Sequence, residues 1–158
     1  VVEHTDLFQT TGMVPDGDLD YCIPLGVAKV VRPGTACTVL TYLSMVPVCV
    51  EAAETSGIDA EVIDLRTLDP MGLDWATIEE SVKRTNRLLI VEQNTRGTSH
   101  GARIVQEAQE RCFDWLDHQI LHVTGTDSAP VVSKTLEAAA LAGHDEVVAG
   151  LHRVVGVH

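Results

Sequence analysis

Three short apolar runs punctuate the chain: Cys37-Thr38-Val39-Leu40-Thr41-Tyr42, Ala60-Glu61-Val62-Ile63-Asp64-Leu65 and Arg87-Leu88-Leu89-Ile90-Val91-Glu92. Each is too short for a stable helix. The third holds four consecutive large aliphatics, the pattern of a strand covered on both faces. A fourth run, Ile120 to Thr124, has strand character as well.

Between these runs the spacing changes to that of helices. Val46, Val50 and Ala53, with Val48 and Cys49 beside them, form one apolar side of a helix that Ser44 can cap and Ser56-Gly57 ends. Asp69-Pro70 breaks the chain, and Asp74 is the predicted N-cap of a helix running through Ile78 and Val82 to about Arg84. A loop with Gly97 and Gly101 leads to a third helix on Ile104, Val105, Ala108 and Cys112. Two more helical stretches, Thr135 to Leu141 and Asp145 to Val155, are separated at Gly143. Strand alternating with helix predicts an α/β fold of three layers, α/β/α, with a mostly parallel sheet of about five strands.

The opening differs from all this. Gly12, Pro15, Gly17, Pro24, Gly26, Pro33 and Gly34 are too closely spaced for a regular element of any length, so residues 1–34 read as an extended connector and residues 35–158 as the domain. Val1-Val2-Glu3-His4, without an initial Met, reads as the end of a strand from something larger.

Composition narrows the function classes. A chain of 158 residues, 45% hydrophobic, is long enough for one compact core. Apolar stretches fall well short of the roughly 18 residues of a membrane span, and no basic-then-apolar leader opens the chain, so a cytoplasmic, non-membrane domain is expected. The formal charge of −12 repels phosphate backbones and favours basic partners, which argues against nucleic acid. Cys22, Cys37, Cys49 and Cys112 form no C-x-x-C pair, and three lie in or beside apolar runs, as buried thiols of a reducing compartment do. His118 and His122 have helical ligand spacing, but Gln119 to Thr124 reads as a strand, where same-face residues four apart are too distant to share a metal easily, so no metal site is expected there. No Walker loop, G-x-S-x-G or strand-linked G-x-G-x-x-G occurs.

Ala60 to Pro70 reads AEVIDLRTLDP, and these eleven residues resemble a signature of the beta subunits of thiamine-diphosphate-dependent 2-oxo acid dehydrogenases, the pyruvate, branched-chain 2-oxo acid and acetoin enzymes. Other segments resemble the same subunits in order. They are Val2-Glu3-His4 with Leu7 and Phe8, Ile23 to Ala28, Val39 to Tyr42 with Met45-Val46, Val91-Glu92, Arg96-Gly97 to Gly101-Ala102, Phe113 to Asp117, Val123 to Gly125 with Asp127, and Leu136-Glu137. The chain departs from that pattern at Leu43, where a small residue is usual. It departs again at Thr98-Ser99-His100-Gly101, where relatives are richer in glycine, and after Asp127, where they are richer in proline.

The resemblance implies a transketolase C-terminal-like domain, preceded by the end of a pyrimidine-binding domain. It implies a parent enzyme that uses thiamine diphosphate and magnesium, held by the alpha subunit and by the beta subunit's other domain. It further implies an α2β2 assembly with an alpha subunit and a second beta subunit, and docking of the basic subunit-binding domain of the dihydrolipoyl acyltransferase. No catalytic, cofactor or metal residue is assigned to this chain, which is expected to be inactive alone.

His100 and Arg96 are the loop candidates, because they lie after a central strand where open sheets expose ligand sites. Asp127 and Glu137 are the interface candidates, being the acids nearest the region that relatives use for docking. Asp64 and Arg66 are expected to form a structural network, and Phe113 and Trp115 to lie in the core or at a subunit contact. The competing class is an independent α/β domain that binds a nucleotide or other anion at its strand ends; Tyr42-Leu43-Ser44-Met45 is not the glycine-rich loop such a domain needs.

Overall fold

A computed structural model describes residues 1–18, 20–69, 71–128 and 132–156. Strands β1 (Lys29–Arg32), β2 (Cys37–Thr41), β3 (Ala60–Asp64), β4 (Leu88–Thr95) and β5 (Leu121–Gly125) form one sheet in the order β1-β3-β2-β4-β5. Helices α1 (Met45–Ser56), α2 (Trp75–Thr85), α3 (His100–Cys112), α4 (Lys134–Ala140) and α5 (His144–Val155) connect and cover it. β2 runs parallel to both β3 and β4, and β4 parallel to β5; only β1 is antiparallel.

Side chains alternate across the pleat, so each central strand feeds two cores. Val39, Val62, Leu89 and Val91 point to one face and meet Met45, Cys49, Ala52 and Ala53 of α1 and Val147, Leu151 and Val154 of α5. Leu40, Ile63, Leu88 and Ile90 point to the other and meet Ile78 and Val82 of α2 and Ile104, Ala108 and Cys112 of α3. The register places Leu40 beside both Ile63 and Ile90, so the centre of the sheet is aliphatic in two directions. These are the three layers that the strand and helix patterns predict.

Local chemistry fixes how the elements meet. Asp74 caps α2 by accepting the Thr77 N–H at 3.1 Å, and its second oxygen accepts the Ala28 N–H at 3.0 Å, which ties the approach to β1 onto the helix start. Buried Thr38 joins Ser81 at 2.6 Å and Thr85 at 2.7 Å, so the polar side chains between β2 and α2 satisfy one another. Gly34 crosses against Ala60 so closely that a Cβ would overlap the Ala60 carbonyl, and no other residue fits there.

Several elements depart from the pattern. Lys29–Arg32, inside the expected connector, pairs with β3 through Lys29 to Asp64 and Val30 to Ile63. It has basic residues at both ends and Gly26 and Pro33-Gly34 around it, so its strand state comes from the free hydrogen-bonding edge of β3 rather than from its own pattern. In α1 the buried residues are Met45, Cys49, Ala52 and Ala53, while Val46 and Val50 are only half-buried. The small alanines let the helix approach sheet and α5 closely, which sets its rotation.

Val1 to His4 is in no strand, and a single 3-10 turn, Thr5–Gln9, follows it. Phe113 and Trp115 are not core residues: they occupy another single turn, 66% and 39% exposed, with the Lys83 ammonium 4.3 Å from the Trp115 ring centre. The break expected at Asp69-Pro70 reaches Pro70, and the proline-poor segment after Asp127 includes residues 129–131; these positions lie outside the described residues.

Ile90 packs at the junction of β2, β4 and the α2–α3 layer. Ile90→Ala is expected to lower stability by about 2–5 kcal/mol in urea unfolding, whereas Val14→Ala in the exposed opening segment is expected to stay within about 0.5 kcal/mol.

Candidate functional site

Helix α1 leaves β2 over one face of the sheet and α3 leaves β4 over the other, so the carboxyl ends of these neighbours form the crevice at which open α/β sheets present ligands. Tyr42, just past β2, Glu92, midway along β4, and His122, near the start of β5, converge beside it. Glu92, with no exposed surface, accepts the Tyr42 hydroxyl at 2.7 Å on Oε2. Its Oε1 lies 2.6 Å from His122 Nε2 and accepts the Gly101 N–H at 2.9 Å. One carboxylate midway along β4 thus joins the residue after β2, the start of β5 and the first turn of α3.

Gly101 is the residue that permits this. A Cβ there would overlap both Glu92 Oε1 and His122 Nε2, so only glycine lets the helix backbone reach the carboxylate. Burial works to keep Glu92 protonated, but the hydrogen bonds from His122, Tyr42 and Gly101 outweigh it and hold the carboxyl below its ordinary range. Burial, followed by the bond to Glu92, pushes the Tyr42 phenol up. Every donor aimed at this carboxylate is spent on the fold, so the network positions backbone and does not present a reactive group.

Beside it, Gln93 Oε1 accepts the Ser44 hydroxyl at 3.1 Å and lies 2.6 Å from His4 Nε2. Ser44 therefore does not cap α1 with its side chain, as its position suggests; it binds β4 instead. His4 brings the opening segment onto the strand ends, and Gly26, whose N–H donates to Thr67 Oγ1 at 2.8 Å, secures that segment at its other end.

The loop and interface candidates are only partly brought together. His100 is the first residue of α3, half-buried beside Leu73, Arg103, Ile104 and Glu107, and its Nε2 is shut away from solvent with no hydrogen-bond partner among the described residues. Arg96 is exposed in the single turn Arg96–Thr98. The next residue, Gly97, donates its N–H to Asp127 Oδ1 at 2.5 Å, so Asp127 pins that loop to the end of β5. Glu137 stands exposed on α4, apart from the other three. Asp64 and Arg66 pair with each other at 3.7 Å.

His118 is exposed ahead of β5 and His122 is committed to Glu92. Among the described residues, no three His, Cys, Asp or Glu side chains group as metal ligands. Cys37 and Cys49 are buried, which pushes both thiols up to about 12, the opposite of what a nucleophilic cysteine needs.

The family model of the transketolase C-terminal domain matches residues 26–147. The chain belongs to this family. Within it, the chain is 50% identical over 115 residues to the 2-oxoisovalerate dehydrogenase subunit beta of Pseudomonas aeruginosa, a match covering 73% of this chain and 32% of that one. It is 39% identical over 135 residues to the pyruvate dehydrogenase E1 component subunit beta of Rickettsia conorii, covering 84% of this chain and 41% of the relative. The chain therefore spans less than half the length of either relative. A split-gene transketolase solved as an inactive beta4 tetramer shares the fold, with a TM-score of 0.66 at 22% identity over 87% of this chain and 45% of that one. In this transketolase C-terminal domain the folded chain places Tyr42, Glu92, Gly101 and His122 together, a set the sequence reading does not single out.

Gly101→Ala is expected to cost about 1–3 kcal/mol of stability by forcing α3 off the carboxylate, measurable as a lower urea midpoint. Glu92→Gln is expected to cost about 3 kcal/mol at neutral pH, because the amide cannot accept all three donors. Because the folded-state pKa of Glu92 lies below its unfolded value, its contribution is complete above the ordinary glutamate value of about 4.3 and is lost as pH falls through the folded value. Urea titrations between neutral and acid pH are expected to show the stability gap between the two proteins closing over that window; a constant gap would refute the assignment.

Proposed function

We propose that this chain is the subunit-assembly and acyltransferase-docking domain of the beta subunit of a thiamine-diphosphate-dependent 2-oxo acid dehydrogenase. The parent enzyme would oxidatively decarboxylate a 2-oxo acid such as pyruvate or a branched-chain 2-oxo acid. The observation that carries this reading is the 50% identity to a 2-oxoisovalerate dehydrogenase subunit beta, supported by the match to a pyruvate dehydrogenase beta subunit.

On this reading residues 1–34 are the end of a pyrimidine-binding domain and the connector, and residues 35–158 are the C-terminal domain. The partners are an alpha subunit and a second beta subunit in an α2β2 assembly, together with the basic subunit-binding domain of the dihydrolipoyl acyltransferase. Asp127 and Glu137 are exposed acids suited to the last of these, and the formal charge of −12 favours a basic partner. A cytoplasmic location belongs to the same proposal. Among the described residues no helix is long and apolar enough to cross a membrane.

Thiamine diphosphate and magnesium do not fit the residues present. The recess along α3 is lined by Glu107 and Glu110 beside Arg103, and these carboxylates would repel a diphosphate. At the strand-end crevice the polar groups of Tyr42, Glu92 and His122 are already bonded to one another. No step of the reaction is assigned to this chain; holding the cofactor falls to the alpha subunit and to the other domain of beta. An independent nucleotide- or anion-binding role has less support, since the same crevice holds an ionised carboxylate.

Two measurements test the proposal. Isothermal titration of this chain with thiamine diphosphate and magnesium is expected to show no micromolar binding, and a micromolar site would overturn the division of labour. Titration with the acyltransferase subunit-binding domain is expected to show binding that weakens about tenfold between low and near-molar salt. In the same assay Asp127→Asn combined with Glu137→Gln is expected to weaken binding several-fold, by analogy with charge pairs of about 1 kcal/mol. Binding that ignores both salt and substitution would exclude the docking role.

A further inference from the structure

We draw no further inference here: the strongest candidate, the exposed apolar opening segment that His4 and Gly26 secure across the strand ends, carries nothing because nothing in the structure shows what covers it.

Discussion

Burying the Glu92 carboxylate midway along β4 would cost several kcal/mol if the charge stood alone, and its neighbours are arranged so that it does not. Three donors from three different elements converge on it, and each is needed because the others leave lone pairs open. Tyr42 fixes the end of β2, His122 the start of β5, and the Gly101 amide the start of α3. The polar end of the sheet is thereby as constrained as its aliphatic middle. A charge that can be accommodated in only one arrangement selects that arrangement more sharply than apolar contacts, which tolerate small slips.

The aliphatic middle supplies the bulk of the stability by a different route. Alternating residues of β2, β3 and β4 enter two separate cores, so a single strand such as Leu88 to Val91 serves both. This explains why the runs are continuous rather than alternating in polarity, and why the helices on both faces need only one apolar stripe each. α4, by contrast, buries no residue, and the chain beyond β5 is held mainly through Thr126 to Ala140 and by the docking of α5.

Much of this architecture is legible in the sequence because parallel strands buried on two faces leave an unmistakable aliphatic signature. The runs around Val39, Ile63 and Ile90 announce themselves, and Asp74 announces its helix by the capping chemistry it performs. Lys29–Arg32 does not, because an edge strand that borrows its hydrogen bonds from a neighbour needs no pattern of its own. The rotation of α1 is hidden for a related reason: alanines at 52 and 53 decide it by being small, whereas a reading by hydrophobicity favours the valines. Around Glu92 the fold unites residues from distant parts of the chain, such as Tyr42 with Glu92 and Glu92 with His122, and no local window contains both partners. The one visible clue is a glutamate closing the most apolar run, followed by a glycine at a helix start. His100, a loop candidate by sequence, opens α3 with its Nε2 shut away from solvent, and Asp127, an interface candidate by sequence, restrains a neighbouring turn.

The antiparallel strand at the margin has a consequence for the border of the sheet. Exposed Lys29 sets a positive charge on the outer rim, Arg32 turns back to donate to the Ala60 carbonyl, and the irregular register between Val30 and Arg32 spoils the flat template that another backbone would need to zip onto it. Were the polypeptide trimmed beyond Arg32, the amides of β3 would be laid bare along a rim of valine and isoleucine, an adhesive border in place of a sealed one. The short strand thus works as a hem over the hydrogen-bonding edge of β3.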